Sequence, residues 1–392
     1  MRDAMRRGEI MIRMALIDRF RERRDMVLPQ RKEEKMTKRS GQRWGRVLGM
    51  LVAMGFLASV GGWAQGGKES ATEKLRVYMI DVEGGQSTLF VTPAGQSLLI
   101  DTGWPGHEYR DADRIVAAAK LAGIGKIDYV LITHFHVDHV GGVPQLVERI
   151  PVGTFIDHGP NRELDNADTA RGYAAYEKIL ETGKYKHIVA KPGDILPITG
   201  MRALVVSADG KLIDKALPGA GEANPFCKGV KVRPADVTEN GRSLGVLVSF
   251  GKLKLLDLGD LTWDKEMELM CPTDKLGRVD VYLVSHHGWY QSSSPALVDA
   301  LHARVALMNN GEKKGGSTPT LETIAKAPGL ETAWQLHYSA EGGDAHNTAA
   351  EFIANPQGTD PGNYLELIGN KDGSFDVLNS RTKETKHYAV LR

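Results

Sequence analysis

The sequence predicts a layered α/β fold built from mixed sheets. After residue 68, short apolar segments alternate with helical stretches, and Gly and Pro separate them. In each half of this region strand pairs come first and helices follow, an order typical of a layered α/β domain. The chain has 392 residues, of which 42% are hydrophobic, so it can bury a complete core.

The individual elements follow from local patterns. We predict strands at residues 75–81, 87–92, 97–101, 129–133, 154–156, 202–207, 243–250, 252–257, 279–285 and 304–308. We predict helices at residues 111–121, 143–150, 169–180, 294–302 and 320–327. Pro144 and Pro295 stand where a first helical turn would begin, and Ser294 is a suitable N-cap. Residues 159–185 and 210–242 are expected to be insertions at the rim of a site.

Residues 1–64 have the features of an N-terminal extension followed by a secretory signal peptide. Basic side chains come first, then an apolar run at residues 47–60, then small side chains up to Ala64. The run is about 14 residues long, whereas a membrane-spanning helix needs about 20. We therefore expect translation to start near Met36, cleavage after Ala64, and export of residues 65–392 as a single domain to the periplasm or the medium. An uncleaved N-terminal anchor is the alternative.

The charge is unevenly distributed along the chain. Lys and Arg number 50 and Asp and Glu 49, but residues 1–67 hold 15 of the basic and 7 of the acidic side chains. The remaining 35 basic and 42 acidic side chains give the body a net charge of −7. The sequence therefore offers no broad basic face for DNA, and any affinity for a phosphate ester is expected to come from metals.

The two cysteines, Cys227 and Cys271, lack the spacing to another Cys or His that a metal site requires. In an exported protein they can form one disulfide, but two independent thiols are an equal alternative. The sequence leaves both possibilities open.

A cluster of histidine and aspartate side chains carries the chemistry. An apolar strand pattern that begins at residue 130 runs into His134, His136, Asp138 and His139. Imidazole nitrogens and a carboxylate this close together, at the carboxyl end of a strand, suit two divalent metal ions. His134 and His136 are two apart on an extended segment and point to the same side. Asp138 and His139 fall on the turn into the next helix, from which they can reach a second ion.

This cluster resembles the signature of the metallo-β-lactamase superfamily, His-any-His-any-Asp-His followed by two glycines. Gly141 and Gly142 supply the glycines, and we expect them to let the backbone turn sharply. The resemblance extends over most of the chain from residue 75 to about residue 326. It is closest to the hydrolase domain of the ComEC-type DNA-uptake competence family, through motifs at residues 79–86, 99–103, 240–260 and 284–288. It implies a four-layer αββα fold, two mixed β-sheets flanked by helices, with metal ions at one edge of the sheets.

The resemblance assigns roles to residues outside the cluster. Asp260 would bridge the two metal ions, because one carboxylate between two dications offsets their repulsion. His286 would complete the ligands of the second ion, and His287 is expected to contact the substrate as a catalytic residue together with Asp138. Three further residues would support the ligands through hydrogen bonds, namely Asp101, Asn240 and Ser243. The implied cofactors are two divalent ions, Zn²⁺ in the first place, with Mn²⁺ or Fe²⁺ as alternatives.

The sequence departs from that family's pattern at two positions that bear on the substrate. Gln86 stands near the place where the competence-type domains usually have an acid. Ser317 stands where a His-Pro pair is usual. The substrate is therefore left less constrained than the metal centre.

The usual third ligand of the first ion is also missing, because no Gly-His pair lies between His139 and Asp260. The candidates are His158, which follows a predicted strand, and more weakly Asp209. Near the C-terminus, His337 and His346 can cap the pocket.

Together these residues predict a binuclear metal-dependent hydrolase that uses a metal-bound hydroxide. Two ions would lower the pKa of a shared water from about 15.7 toward about 7, and Asp138 can guide its proton. By resemblance, the expected substrate is a phosphodiester or related ester, in a small molecule or a nucleic acid. Two alternatives stay open: a hydrolase of lactams, lactones or other acyl compounds, and a metal-binding or di-iron protein that catalyses no hydrolysis.

Overall fold

Two β-sheets form the centre of the structure. The computed structural model describes residues 73–391, so the predicted signal peptide and start codon lie outside the described residues. Within residues 73–391 the strands are β1 (Leu75–Met79), β2 (Thr88–Val91), β3 (Ser97–Ile100), β4 (Ile127–Leu131), β5 (Val152–Asp157), β6 (Lys186–Val189), β7 (Arg202–Ala208), β8 (Lys211–Leu212), β9 (Gly245–Phe250), β10 (Leu253–Asp257), β11 (Val281–Leu283), β12 (Val305–Met308), β13 (Thr332–His337), β14 (Ile353–Asn355), β15 (Leu365–Gly369), β16 (Phe375–Asn379) and β17 (Thr385–Tyr388).

Helices connect the strands. In the same range they are α1 (Arg110–Leu121), α2 (Val137–Val140), α3 (Val143–Val147), α4 (Ala167–Glu181), α5 (Trp263–Met270), α6 (Pro295–Leu301), α7 (Thr318–Ala325) and α8 (Gly343–His346). None of the helices in the described part of the chain is long and apolar enough to span a membrane.

Both sheets mix parallel and antiparallel strands. The first has the order β17-β16-β15-β1-β2-β3-β4-β5-β6, and its strands are parallel from β3 to β6. The second has the order β14-β13-β12-β11-β10-β9-β7-β8, and its strands are parallel from β10 to β14. The neighbouring pairs at the other end of each sheet are antiparallel.

Apolar side chains fill three layers between these elements. One cluster lies between the sheets and joins strands of both, for example Val77 of β1 and Leu255 of β10. A second covers the outer face of the first sheet with side chains of α1 and α4, including Tyr176. A third covers the outer face of the second sheet with α5, α6 and α7, including Leu301. The order helix, sheet, sheet, helix confirms the predicted αββα fold.

The two predicted insertions differ in structure. Residues 159–185 contain α4, which Asn166 caps by accepting the backbone N–H groups of Asp168 and Thr169. Residues 210–242 contain little regular structure, but a disulfide between Cys227 and Cys271 ties them to the end of α5. The pairing that the sequence left open is therefore formed. It stabilises the fold by about 2–4 kcal/mol by restricting the unfolded chain.

The strands and helices that we predicted are all present, with ends shifted by a few residues, but several elements escaped prediction. Helix α5 was missed because Glu266 interrupts its apolar face; this buried carboxylate accepts the backbone N–H groups of Ser293 and Ser294. The strands from β13 to β17 were also missed. The last of them, β17, has the sequence Thr-Lys-His-Tyr, in which only Tyr388 is buried.

Candidate metal centre

The loops that carry the predicted ligands begin where strands end. His134 comes three residues after β4, Asp260 three residues after β10, and His286 three residues after β11. Asp101 directly follows β3. Because β3 and β4 are parallel neighbours, as are β10 and β11, these carboxyl ends lie together at one edge of each sheet. The sheets therefore bring together side chains from distant parts of the sequence.

Four buried side chains form the centre of the site: Asp138, His139, Asp260 and His287. The Nε2 atom of His139 lies 3.3 Å from Oδ2 of Asp138, 3.2 Å from Oδ2 of Asp260 and 3.2 Å from Nε2 of His287. Nε2 of His287 in turn lies 3.2 Å from Oδ2 of Asp138. Each residue offers one ligand atom, and the four atoms lie within 4.8 Å of one another.

The carboxylate of Asp260 is surrounded by histidines. Its Oδ2 atom lies 3.9 Å from Nε2 of His134, 3.2 Å from Nε2 of His139, 3.5 Å from Nε2 of His286 and 3.4 Å from Nε2 of His287. The structure therefore places His287, and not His286, beside His139, while His286 reaches Asp260 from another side. The ligand assignment of these two histidines remains a prediction.

Hydrogen bonds to the other ring nitrogens decide which nitrogens are free of protons. Nδ1 of His139 donates to Oδ2 of Asp101 over 2.7 Å, and Nδ1 of His287 donates to the backbone oxygen of Asn309 over 3.2 Å. When both rings are neutral, as in a metal complex, their Nε2 atoms carry lone pairs and face each other at 3.2 Å. Lone pairs repel at this distance, so the pair is suited to share a cation.

The same arrangement occurs a second time, at the first two histidines of the motif. Nδ1 of His134 donates to Oγ1 of Thr133 over 3.0 Å, because that hydroxyl itself donates to Asp101. Nε2 of His136 donates to Oε2 of Glu163 over 2.8 Å. Nε2 of His134 and Nδ1 of His136, the two nitrogens left without protons, are 3.1 Å apart. Nitrogen and carboxylate donors in this number suit borderline divalent metals such as zinc.

Burial and local charge set the protonation of these groups. Burial, with the neighbouring histidines, holds the pKa of His134 well below its usual value, and burial lowers the pKa of His286 to about 4. Burial by itself raises the pKa of Asp260, but the positive charge on neighbouring histidines outweighs it and holds that pKa well below the usual range. His134 and His286 are therefore neutral and Asp260 is ionised, the forms that bind metal. At His139 the carboxylates of Asp260, Asp138 and Asp101 outweigh burial and raise the pKa well above its usual value, so metal binding at this ring would release a proton.

The backbone is strained where it presents these side chains. Asp101, His286 and His287 have φ angles of 60°, 55° and 54°, a left-handed region that residues other than glycine rarely adopt. Such strain persists where surrounding contacts enforce it, and it is frequent at functional sites. Two consecutive left-handed residues explain why adjacent histidines face the site from different sides.

The two glycines of the motif are not needed for a sharp backbone turn, but Gly142 is needed for close packing. Gly142 has a φ of −76° and Gly141 a φ of −62°, angles that any residue can adopt, so the predicted need for a sharp turn was wrong. A Cβ atom on Gly142 would lie 2.0 Å from the backbone oxygen of Thr102. Close packing against the loop after β3 therefore requires glycine here.

Asn240 and Ser243 lie behind the ligands. Nδ2 of Asn240 is 3.4 Å from Nε2 of His286, and its buried Oδ1 atom has no hydrogen-bond partner within residues 73–391. Oγ of Ser243 accepts the backbone N–H of Asp260 over 3.2 Å and lies 3.5 Å from Nδ1 of His134. Both residues therefore touch the histidines or the carboxylate at the centre.

Two residues proposed as a third ligand lie away from the four central side chains. His158 is buried against Phe135, and its Nε2 is 3.0 Å from Oε2 of Glu239. Asp209 accepts from Arg242 over 3.2 Å at the protein surface. The structure brings neither residue into contact with the other predicted ligands.

The two C-terminal histidines also have other partners. Nε2 of His337 donates to Oδ1 of Asp81 over 2.7 Å. His346, in α8, lies 3.2 Å from Glu322 of α7. Neither contacts the histidines or carboxylates of the metal centre.

Sequence reasoning missed Lys314 and Glu163. The ammonium group of Lys314 forms an ion pair with Oδ2 of Asp138 and donates to the backbone oxygen of Gly84 over 2.8 Å. Glu163 comes from the first insertion and orients His136. No motif announces either residue, because each contact joins loops that are distant in the sequence.

Gln86 occupies a supporting position behind the centre. Its Nε2 atom lies 3.2 Å from Oδ2 of Asp257, a carboxyl group whose pKa burial raises to about 7. Its Oε1 accepts the side-chain N–H of Asn309 over 2.8 Å. Gln86 thus connects the end of β10 to Asn309, whose backbone oxygen accepts the Nδ1–H of His287. Ser317, the other departure, is buried at the start of α7 and donates its backbone N–H to Gly288.

The fold and the donor set define a protein of the metallo-β-lactamase fold with a possible metal-binding site. Residues 81–221 match the sequence model of the metallo-beta-lactamase superfamily. Among solved structures, the metallo-beta-lactamase fold protein YhfI from Bacillus subtilis is similar, with a TM-score of 0.43 and 12% identity over 75% of this chain and 99% of that one.

Two curated relatives show more local similarity. Ribonuclease Z of Methanopyrus kandleri is 27% identical over 181 residues, which are 44% of this chain and 60% of that protein. The atrochrysone carboxyl ACP thioesterase dmxR1 of a Cryptosporiopsis species is 32% identical over 80 residues, which are 20% of this chain and 24% of that protein. The matches therefore span less than two thirds of either relative.

Proposed function

We propose that this chain is an exported, binuclear metal-dependent hydrolase that cleaves a phosphodiester or related ester. The observation that carries the proposal is the duplicated pair of imidazole nitrogens. His134 and His136 direct two ring nitrogens at each other over 3.1 Å, and His139 and His287 do so over 3.2 Å. These four nitrogens become ligands when the rings are neutral. One nitrogen of each pair, Nε2 of His134 and Nε2 of His139, lies within 3.9 Å of Oδ2 of Asp260.

The residues divide into two ligand sets on this basis. Asp138, His139 and His287 would hold one ion, and His134 and His136 the other, with Asp260 between them. His286 is the best placed residue to complete the set of His134 and His136, because its Nε2 lies 3.5 Å from Oδ2 of Asp260. Bound divalent ions would lower the pKa of a water molecule and withdraw charge from the bond to be broken.

Asp138 is placed to handle the proton of the attacking water. Its Oδ2 atom makes the contacts to His139, His287 and Lys314. Its Oδ1 atom has no hydrogen-bond partner within residues 73–391, so this oxygen can accept a proton from water. A carboxylate that is held in place by several partners meets the geometric demand on a general base.

The choice of a phosphodiester rests on charge next to the centre. Lys314, whose side chain is 36% exposed, would place an ammonium group beside the substrate once Asp138 has a metal partner. An anionic phosphate ester would gain from this cation, whereas an uncharged lactone would not. The resemblance to the ComEC-type domains and the similarity to a ribonuclease Z support the same class. The acidic body favours short substrates over long duplex DNA.

Two features support export. The segment before residue 65 has the pattern of a signal peptide. The disulfide between Cys227 and Cys271 is of a kind that persists in oxidising compartments. Detection of the mature chain in the periplasm or the medium, with an N-terminus at residue 65, would test this part.

A hydrolase of acyl compounds is the second candidate. Its support is the 32% identity with an acyl carrier protein thioesterase, although the match covers 20% of this chain. The same activated water would serve both reactions, so the metal centre does not distinguish them.

A substrate panel separates the candidates. Metal-loaded protein should hydrolyse methyl p-nitrophenyl phosphate and a dinucleotide, and turn over nitrocefin, a lactone and a thioester much more slowly. Chelator-treated protein serves as the control. Turnover of the thioester or lactone with no phosphodiesterase activity would replace the first candidate by the second. Bound metal with no turnover of any of these compounds would favour a protein that is not a hydrolase.

A further inference from the structure

The two insertions of the fold meet beside the histidine motif. Glu163 lies in the first insertion, residues 159–185, and Glu239 lies near the end of the second, residues 210–242. The backbone N–H of Glu239 donates to Oε2 of Glu163 over 3.0 Å, and the backbone N–H of Arg162 donates to Oε1 of Glu239 over 2.8 Å. Each carboxylate is therefore held by the backbone of the other insertion.

Glu163 holds the ring of His136. Its Oε2 atom accepts the Nε2–H of His136 over 2.8 Å, while Nδ1 of the same ring lies 3.1 Å from Nε2 of His134. Glu163 thus occupies the ring nitrogen that does not face His134, which is the position of a supporting group and not of a metal ligand. Its Oε1 atom accepts the side-chain N–H of Asn166 over 3.1 Å, so that both carboxylate oxygens are fixed.

Glu239 holds the backbone of the same motif. Its Oε2 atom accepts the backbone N–H of Phe135, which stands between the first two histidines of the motif, over 3.3 Å. The same oxygen accepts the Nε2–H of His158 over 3.0 Å. Nδ1 of His158 is buried and has no hydrogen-bond partner within residues 73–391. His158, a candidate ligand from the sequence, is therefore a partner of Glu239 instead.

The two carboxylates are paired with histidines alone. The side chain of Glu239 is fully buried, and that of Glu163 is 12% exposed. No lysine or arginine side chain within residues 73–391 forms a salt bridge with either of them. A buried carboxylate without a full counter-charge is costly, so this pair favours a cation nearby. A divalent ion between His134 and His136 would supply that charge.

We infer that Glu163 and Glu239 are positioning residues for the ion between His134 and His136, here called the first ion. In the neutral ring of His136, Glu163 keeps the proton on Nε2 and leaves the lone pair of Nδ1 to the metal. Glu239 fixes Glu163 through its own N–H and fixes the backbone of the motif through its carboxylate. The inference rests on the binuclear centre of the proposed function, but on neither the substrate nor the hydrolysis.

Glu163→Gln tests this without changing the size of the side chain. Its carboxamide can donate to Nε2 of His136, which would move the ring proton to Nδ1, the nitrogen that the metal needs. We expect the first ion to bind about 10–100-fold more weakly. The second ion, among Asp138, His139 and His287, should bind within about twofold of wild type. Zinc titration of chelator-treated protein, in competition with a chromophoric chelator, resolves the two affinities.

Glu239→Gln is the second variant. All three side-chain contacts of Glu239 are to N–H groups, so a carboxamide loses at least one of them. We expect its first ion to bind about tenfold more weakly. Glu181→Gln is the matched control, because Glu181 is an exposed acid at the end of α4 in the first insertion. Thermal unfolding of the metal-free proteins reveals a folding defect, and if Glu239→Gln has one, Glu163→Gln decides.

The split between the two affinities distinguishes positioning from a general role in stability. Weaker binding of one ion in Glu163→Gln, with the other ion and Glu181→Gln unchanged, is the expected result. An equal loss of both ions, or no loss of either, would show that the inference is wrong.

The inference and the proposed function can fail separately. If the expected split occurs but no ester is cleaved, the positioning role stands and the hydrolase fails. If methyl p-nitrophenyl phosphate is cleaved while Glu163→Gln keeps both affinities, the hydrolase stands and the positioning role fails. Binding of fewer than two ions by wild type would overturn the inference together with the binuclear centre.

Discussion

Two groups of carboxylates and histidines in residues 73–391 have side chains close enough to hold a metal ion, and they differ in how their charge is balanced. One is the centre of Asp138, His139, Asp260 and His287. The other, which we call the Asp81 group, consists of Asp81, Glu83 and His337. Spacing alone does not distinguish them.

In the Asp81 group the protein supplies its own cations and protons. Arg114 donates to Oδ2 of Asp81 over 2.9 Å, and Nε2 of His337 donates to Oδ1 over 2.7 Å. The backbone N–H of Glu83 donates to the same Oδ1 over 2.9 Å. At the metal centre Lys314 pairs with Asp138, but the ring nitrogens of four histidines face each other in two pairs. Facing imidazole nitrogens therefore distinguish the metal centre from the Asp81 group, whereas the proximity of acids and histidines does not.

The largest expected effect is that of removing the charge between the two ligand sets. Asp260→Asn should lower turnover by about a thousandfold, because several kcal/mol of charge stabilisation are lost with the metals. Metal content, measured by mass spectrometry, should fall from about two ions per chain to one or none. Asp81→Asn is the matched control, and a similar loss of metal from that variant would erase the distinction.

Asp101→Asn should have a smaller effect on the same centre. Asp101 accepts hydrogen bonds from Nδ1 of His139 and from the hydroxyl of Thr133. It thereby orients His139 directly and His134 through Thr133. Loss of such a partner costs about 10–100-fold in metal affinity. Competition with a chromophoric chelator measures this affinity. An unchanged affinity would mean that the ring of His139 is held by other contacts.

Asp81→Asn should affect stability and leave the metal unchanged. Asp81 is buried, and removing its charge leaves Arg114 with Asp360 alone and His337 with Glu83 alone, 3.6 Å away. Breaking a buried ion pair costs about 3 kcal/mol of unfolding free energy. Urea denaturation of metal-loaded protein measures the loss. A change below the error of that measurement would show that Arg114 finds sufficient compensation elsewhere.

The smallest expected effect is a pH dependence that arises in the Asp81 group. Burial raises the pKa of Glu83 from 4.5 to about 7. Because the folded protein holds this proton more tightly, the contribution of Glu83 to stability is present below pH 4.5 and is lost as the pH rises through about 7.

Glu83→Gln should remove this dependence. The difference in unfolding free energy between wild type and variant should shift by about 1 kcal/mol between pH 4.5 and pH 8, since Glu83 is only partly shielded from water. Denaturation curves across this range measure the shift. Parallel pH profiles of the two proteins would contradict the raised pKa.

The sequence predicted the layers of the fold and the edge at which the ligands meet, because strand patterns and the spacing of His134 to His139 are local features. It did not predict which of His286 and His287 faces His139. That choice depends on two left-handed backbone conformations, which no residue type indicates here. Lys314 contacts Asp138 across 176 residues of sequence, so only the folded sheets reveal it.

Crystallography with anomalous scattering tests the central claim most directly. Crystals of metal-loaded protein should show two peaks about 3.5–4 Å apart on either side of Asp260. One should lie between His134 and His136, and the other among Asp138, His139 and His287. A single peak, no peak, or a peak in the Asp81 group instead would contradict a binuclear centre built on the facing nitrogens.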